Sequence, residues 1–249
     1  MTNAVQTWTS EALEALGEEF EEKTPQETAA WAVETFHPDL ALACSFGGPG
    51  GVALVDMLVK IQPDIRVFYI DTEFLFPETY ETRDRLIERY GIRPAAYRAA
   101  LNPSDQARAH GSELYAREPD LCCHLRKVLP MRQALRGLSA WMTAIRRDQS
   151  PSRTRMEIVG WDARFNLVKV NPLANWTEND VWQYVREHDI PYNPLHDRDY
   201  PSIGCRHCTR PVEAGEDRRA GRWAEFSKTE CGLHPSPERV GSSPSRSVR

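Results

Sequence analysis

Leu40-Ala41-Leu42-Ala43-Cys44-Ser45-Phe46-Gly47-Gly48-Pro49-Gly50-Gly51 is the stretch that decides the fold. A short apolar run stops in a glycine-rich turn, and Val52, Leu54, Val55 and Leu58 follow at helical spacing. Strand, glycine-rich loop and helix together offer backbone N–H groups and a helix N-terminus to a phosphate or sulfate. No Lys-Ser or Lys-Thr pair closes the loop, so it is not a P-loop of the usual kind. A turn that merely joins two elements has the same composition, so the loop needs support from the rest of the chain.

That support lies downstream. Ile65-Arg66-Val67-Phe68-Tyr69-Ile70-Asp71 is a second buried strand, followed by Thr72 to Phe76 and a helix from Pro77 to Tyr90. Pro94–Ala99, Ala140–Ile145 and Met156–Trp161 read as three further strands, with helices between them. Alternation of this kind predicts an α/β fold, a parallel sheet with helices on both faces. Ligands of such sheets sit beyond the carboxyl ends of the strands, where Ser45, Asp71-Thr72 and Arg146-Arg147 fall. Upstream, Thr9-Ser10-Glu11 opens a helix over 9–22, and Pro25 opens another that runs to Phe36. The chain thus divides into helices over 1–37, an α/β nucleotide-binding domain over 38–204, a cysteine-bearing C-terminal segment over 205–234 and a Ser/Pro/Arg-rich tail over 235–249 that reads as disordered.

The 249 residues carry a formal net charge of −5, which argues against a general nucleic-acid binder, so any anion must be held by a local basic cluster. No apolar run reaches membrane-spanning length and the N-terminus has no signal-peptide pattern, so the expected location is cytoplasmic. Self-association as a homo-oligomer stays open at this level.

Leu121-Cys122-Cys123-His124-Leu125-Arg126-Lys127 and Gly204-Cys205-Arg206-His207-Cys208 supply four closely spaced thiols. With no secretion signal, disulfides have little to recommend them. Four thiolates bind zinc or an iron–sulfur cluster. Adjacent cysteines favour the cluster, because neighbouring thiolates diverge and reach two irons more easily than one small tetrahedral ion. Of the other two cysteines, Cys44 reads as a small buried residue. Cys231, in Glu230-Cys231-Gly232-Leu233-His234, reads either as a reactive thiol near positive charge or as an incidental surface thiol.

Taken together, these residues resemble the assimilatory sulfonucleotide reductases, and among them the bacterial iron–sulfur adenylyl-sulfate (APS) reductases. The matching stretches are Asp71-Thr72 with Phe76-Pro77-Glu78-Thr79, the Cys-Cys pair with Arg126-Lys127, Arg146-Arg147-Asp148-Gln149-Ser150, Asn193-Pro194-Leu195-His196-Asp197, Tyr200 to Cys205, and Glu230 to His234. The resemblance implies an ATP-pyrophosphatase-like fold, of the adenine nucleotide alpha hydrolase kind. It further implies a [4Fe–4S] cluster on Cys122, Cys123, Cys205 and Cys208. It implies APS as substrate, thioredoxin or glutaredoxin as reductant, and Cys231 as the nucleophile that becomes an S-sulfocysteine. Lys127, Arg219, Arg222 and His234 match phosphosulfate-binding positions, and Ser45, Gly47, Thr72, Arg146 and Gln149 match nucleotide-pocket positions. Two departures stand out. The first loop lacks the acids that commonly follow Ser-Phe in the family, and the family's Asp-Thr-Gly is Asp71-Thr72-Glu73 here. The rivals are a 3′-phosphoadenylyl-sulfate (PAPS) reductase, an ATP-dependent sulfur-transfer enzyme and a non-catalytic metal-binding module.

Overall fold

A computed structural model describes residues 8–233. The N-terminal pair, α1 (Ser10–Phe20) and α2 (Pro25–Phe36), starts where the side chains dictate. The Thr9 hydroxyl accepts from the Ala12 N–H, and Thr24 with Glu27 forms a reciprocal capping box ahead of Pro25. Then β1 (Leu40–Ala43), α3 (Pro49–Ile61), β2 (Arg66–Ile70), α4 (Pro77–Tyr90) and β3 (Ala95–Tyr97) alternate as expected. Two short helices, α5 (Pro103–His110) and α6 (Leu114–Arg117), lead into a longer helical run. It comprises α7 (Pro119–Cys123), a π-helical turn over His124–Val128 and α8 (Leu129–Ala134). Strands β4 (Ala140–Met142), β5 (Val159–Asp162) and β6 (Leu167–Val170) and helix α9 (Glu178–Glu187) complete the order.

The six strands lie in the order β3-β2-β1-β4-β6-β5. β1 pairs in parallel with β2 on one side and with β4 on the other, so the chain reverses its direction of winding at β1. In α/β sheets, a crevice opens at such a switch point beyond the strand ends. Successive strand residues face opposite sides. Leu40, Leu42, Val67, Ala140, Met142 and Val168 join α1, α2, α3 and α9 in the larger core. Ala41, Phe68, Trp141 and Leu167 face α8 through Met131, Ala134 and Leu135.

Three expectations need correction. The sheet is not wholly parallel, because β5 runs antiparallel to β6 at the edge. The cause is local: the Asp162 carboxylate accepts from the Arg164 N–H and Asn166 takes φ 61°, which closes a tight hairpin. The connection from β4 to β5 is not an α-helix but two 3₁₀ turns, Arg147–Gln149 and Pro151–Arg153. Finally, β6 was not expected at all, because Lys169 interrupts its apolar run, yet Lys169 is buried in the sheet. His234 and the tail over 235–249 lie outside the described residues.

Candidate active site

Gly50 and Gly51 let the start of α3 approach the strand ends closely, because side chains there would crowd their neighbours. A Cβ on Gly50 would stand 3.2 Å from the Ala144 Cβ and 3.3 Å from Leu173 Cδ1. One on Gly51 would stand 3.1 Å from the Cys44 sulfur. Helix α3 therefore begins tight against the ends of β1 and β4, with Gly48 as N-cap and no side chain blocking its first N–H groups. The segment Asn193 to Asp197 braces the loop from behind, with His196 Nε2 2.9 Å from the Gly47 carbonyl and the Asn193 amide donating to Thr79 Oγ1.

Beyond β2, Asp71 is committed to structure: Tyr80 and Arg98 donate to its carboxylate, as does the Glu73 N–H. Burial works against its charge, but these donors hold the carboxyl below its ordinary value. Glu73 stands at φ 57°, in the left-handed region that a glycine occupies without strain. Its carboxylate lies 3.1 Å from the buried guanidinium of Arg126, an ion pair that a glycine would lack.

A cleft of about 1540 Å³, open mouth included, lies over the ends of β1, β2 and β4. It brings together Ser45, Thr72, Lys127, Arg146, Gln149, Arg219, Arg222 and Cys231. Gly47 is not on its wall: that residue backs onto Ile203. Of the arginine pair expected at the β4 exit, Arg147 turns away to a two-pronged ion pair with Glu21, the residue that ends α1. Arg146 stays, buried and bound to Asp148 at 2.9 Å. Three charged lining residues have no assigned role in the sequence reading: Arg153, Arg218 and Glu230. Arg153 stands in a basic stretch and Glu230 in the stretch quoted with Cys231, but neither signal says where the side chain lies. Among the described residues, six cationic side chains line the cleft against one carboxylate, Glu230. In a chain of net charge −5, that is an anion site.

Cys231 is partly exposed on this wall. Burial, and to a smaller degree the charge of Glu230, disfavour its thiolate, but Lys127, the Leu233 N–H and Arg222 outweigh them and hold the thiol below its ordinary value of 9.0. Burial works the other way on Lys127, yet the thiols of Cys205, Cys231 and Cys123 keep its ammonium more firmly protonated than usual. Arg219 is brought down to about 10 by burial, with Glu230 opposing.

Four of the other five thiols meet behind Lys127. Cys122, Cys123, Cys205 and Cys208 line one small cavity with Phe74, Tyr115, Arg126 and His207. Helix α7 presents the first pair, and the π-helical turn that follows widens the helix there, as such turns do at functional sites. The second pair is fastened to the β2 exit by a bridge between Leu75 and Cys205 and by the Arg206 N–H donating to the Phe74 carbonyl. Burial and neighbouring thiols push Cys122 up to about 11 and Cys208 to about 12. Thiolates crowded in this way require a cation to ionise. Arg126 lines the cavity with Nε buried and unpartnered among the described residues, a donor fit for a sulfur acceptor. Thr72 Oγ1 lies 3.3 Å from the Cys205 sulfur. The donor set therefore fits a thiolate-held metal group. Among the described residues, no three His, Cys, Asp or Glu side chains close on the point a single ion would occupy.

The phosphoadenosine phosphosulfate reductase domain family matches residues 39–211. The chain is 47% identical over 232 residues to the adenosine 5′-phosphosulfate reductase of Salinibacter ruber, covering 93% of this chain and 92% of that one. It is 46% identical over 205 residues to adenosine 5′-phosphosulfate reductase 1 of Bacillus subtilis, covering 82% and 88%. The crystal structure of the phosphoadenylyl-sulfate reductase of Candida auris in its phosphate complex superposes with a TM-score of 0.73 at 30% identity, over 84% of this chain and all of that one. The FMN adenylyltransferase of Candida glabrata shares the fold alone, with a TM-score of 0.56 at 13% identity over 85% and 71% of the two chains. Matched from β1 through the second cysteine pair, and along nearly its whole length by curated relatives, the chain belongs to the phosphoadenosine phosphosulfate reductase family.

Proposed function

We propose that this chain reduces APS to sulfite and AMP by way of an S-sulfo intermediate on Cys231, with thioredoxin or a glutaredoxin as reductant. The setting is cytoplasmic sulfate assimilation toward cysteine. One observation carries the reading: of the thiols on the wall of a cation-lined cleft at the switch point of the sheet, Cys231 is the one drawn toward its thiolate, by Lys127 and Arg222. The Cys231 thiolate attacks the sulfur of APS, the bond from sulfur to the bridging oxygen breaks, and AMP departs as an anion. A thiolate of the reductant then attacks the Cys231 sulfur and sulfite leaves with the bonding pair. The reductant's second thiol resolves the mixed disulfide and returns Cys231 as the thiolate. Two thiols become a disulfide as sulfur goes from sulfate to sulfite, so the electrons balance.

AMP is a stable leaving group, so the protein's work is to gather charge and to aim the thiolate. Lys127, Arg219 and Arg222 face the sulfate, and His234 joins them by resemblance. Ser45 and the first N–H groups of α3 meet the phosphate, while Thr72, Arg146 and Gln149 bound the nucleotide. Gly47 acts through the shape of the loop. Cys122, Cys123, Cys205 and Cys208 would hold a [4Fe–4S] cluster in this reading, and the unpartnered Arg126 Nε would be a donor beside it. Adjacent thiolates diverge, which suits a polynuclear group better than one small tetrahedral ion, and all four thiols line one cavity. When bound, the cluster supplies fixed charge beside the sulfate and joins the two cysteine pairs. The second reading, a PAPS reductase, draws on the likeness to the Candida auris enzyme.

The test is mass spectrometry of anaerobically purified protein mixed with APS or PAPS and no reductant. The expected product is one SO₃ group on the peptide containing Cys231, formed from APS and released as sulfite by reduced thioredoxin. Cys231→Ser should form no adduct and make no sulfite. Adduct on another cysteine would overturn the mechanism, and adduct from PAPS alone would move the chain to the second reading.

A further inference from the structure

Glu230, the one carboxylate on the cleft wall among the described residues, is placed where an anion-binding site should least tolerate it. It is nearly buried, with a side chain 8% exposed, and so is its partner Arg153 at 11%. The pair is two-pronged: Arg153 Nε donates to Oε1 at 2.8 Å and Nη2 to Oε2 at 2.9 Å. The Ser152 hydroxyl donates to Oε1 at 3.3 Å, and Arg219 reaches Oε2 at 3.5 Å while also holding the Thr229 carbonyl at 2.6 Å. Parallel N–H···O pairs of this kind fix orientation as well as position. Their effect is to tie the residue preceding Cys231 to the turn Pro151–Arg153 beyond β4. The rest of the segment has weaker moorings. Lys228 pairs with Asp120 of α7 and lies over the Trp223 ring, and Leu233 packs against the smaller core.

We propose that Glu230 is a positioning residue: by seating its carboxylate on Arg153 and Arg219 it holds the Cys231 thiol against Lys127 and Arg222. This rests on the reading of Cys231 as the nucleophile. The latch has a consequence that a merely structural ion pair lacks. The carboxylate occupies cations that an anionic ligand also attracts, so it aids the thiol chemistry while opposing ligand binding.

The experiment compares wild type with Glu230→Gln in three measurements. In single-turnover mixing with APS, S-sulfo formation on Cys231 is expected to fall at least tenfold. AMP affinity, measured by calorimetry, is expected to stay the same or tighten, because Arg153 and Arg219 are released. Tryptic cleavage after Lys228 in ligand-free protein, a bond whose side chain is now 8% exposed, is expected to quicken at least fivefold. Glu230→Asp keeps the charge one methylene shorter and should fall between the two, even if the glutamine variant folds poorly. Cleavage after Lys228 at the wild-type rate would overturn the latch. So would adduct formation within twofold of wild type, or parallel loss of adduct, AMP binding and thermal stability. A wild-type protein that forms no adduct would sink the reading of Cys231, and the proteolysis would still decide the latch.

Discussion

Lys127 shows how much one side chain carries here. It lines both the cleft and the four-thiol cavity, and it is the largest influence drawing the Cys231 thiol toward its thiolate. Removing one preorganised charge-stabilising donor typically costs about 2.7–4 kcal/mol of barrier. Lys127→Ala should therefore lower kcat for sulfite formation roughly 100- to 1000-fold; a change within twofold would reject the role. The pH dependence has a definite sign. A cation beside a thiol favours the thiolate, so the wild-type Cys231 should react with iodoacetamide with a midpoint below 9.0. Without Lys127 that midpoint should move up. Glu73 is the opposite case at this scale, a residue in a left-handed conformation whose carboxylate is held by Arg126.

Among the elements, the junction of β1 with α3 is the one that tolerates least. Gly50 lies against Ala144 and Leu173, both fixed on neighbouring segments, so an added isopropyl group has nowhere to go. Overpacking a filled site costs roughly 1–3 kcal/mol. Gly50→Val should lower the urea midpoint accordingly with an unchanged slope, and should weaken AMP binding because the N-terminus of α3 moves off the strand ends. The run from α7 through the π-helical turn to α8 is the second demanding element. Its first part offers the cysteine pair, the turn carries Arg126 and Lys127 to opposite tasks, and α8 buries Met131 and Ala134 under the sheet.

At the scale of the molecule, the two cysteine pairs come from distant parts of the chain, one on α7 and one after the sheet is complete. A metal group on all four would bind the folded chain and not the unfolded one, and so would add to stability by mass action. Anaerobically prepared protein is expected to hold about four irons with a broad band near 400 nm. Removing the iron with a chelator should lower Tm by about 2–4 °C for each kcal/mol of binding free energy lost. Stoichiometric zinc without iron would reject the cluster, while Cys122→Ser and Cys208→Ser should each lose the metal. No helix among the described residues is long and apolar enough to cross a membrane.

The sequence by itself determined what depends on short-range pattern. Apolar runs marked β1 and β2, capping residues marked the helix starts, and two close pairs of cysteines marked the four thiols that line one cavity. Tertiary structure decided whatever depends on which distant groups meet. Lys169 interrupts the apolar run of β6, yet it is buried in that strand between β4 and β5. Arg146 and Arg147 are equivalent as letters, but the strand exit sends one into the cleft and the other to Glu21. Arg153 and Glu230 lie far apart along the chain and neither has a motif for pairing, yet they form the contact that seats Cys231. Local backbone preference acts over a few residues and is legible there. Charge pairing acts across space, and only the folded chain says which charges are neighbours.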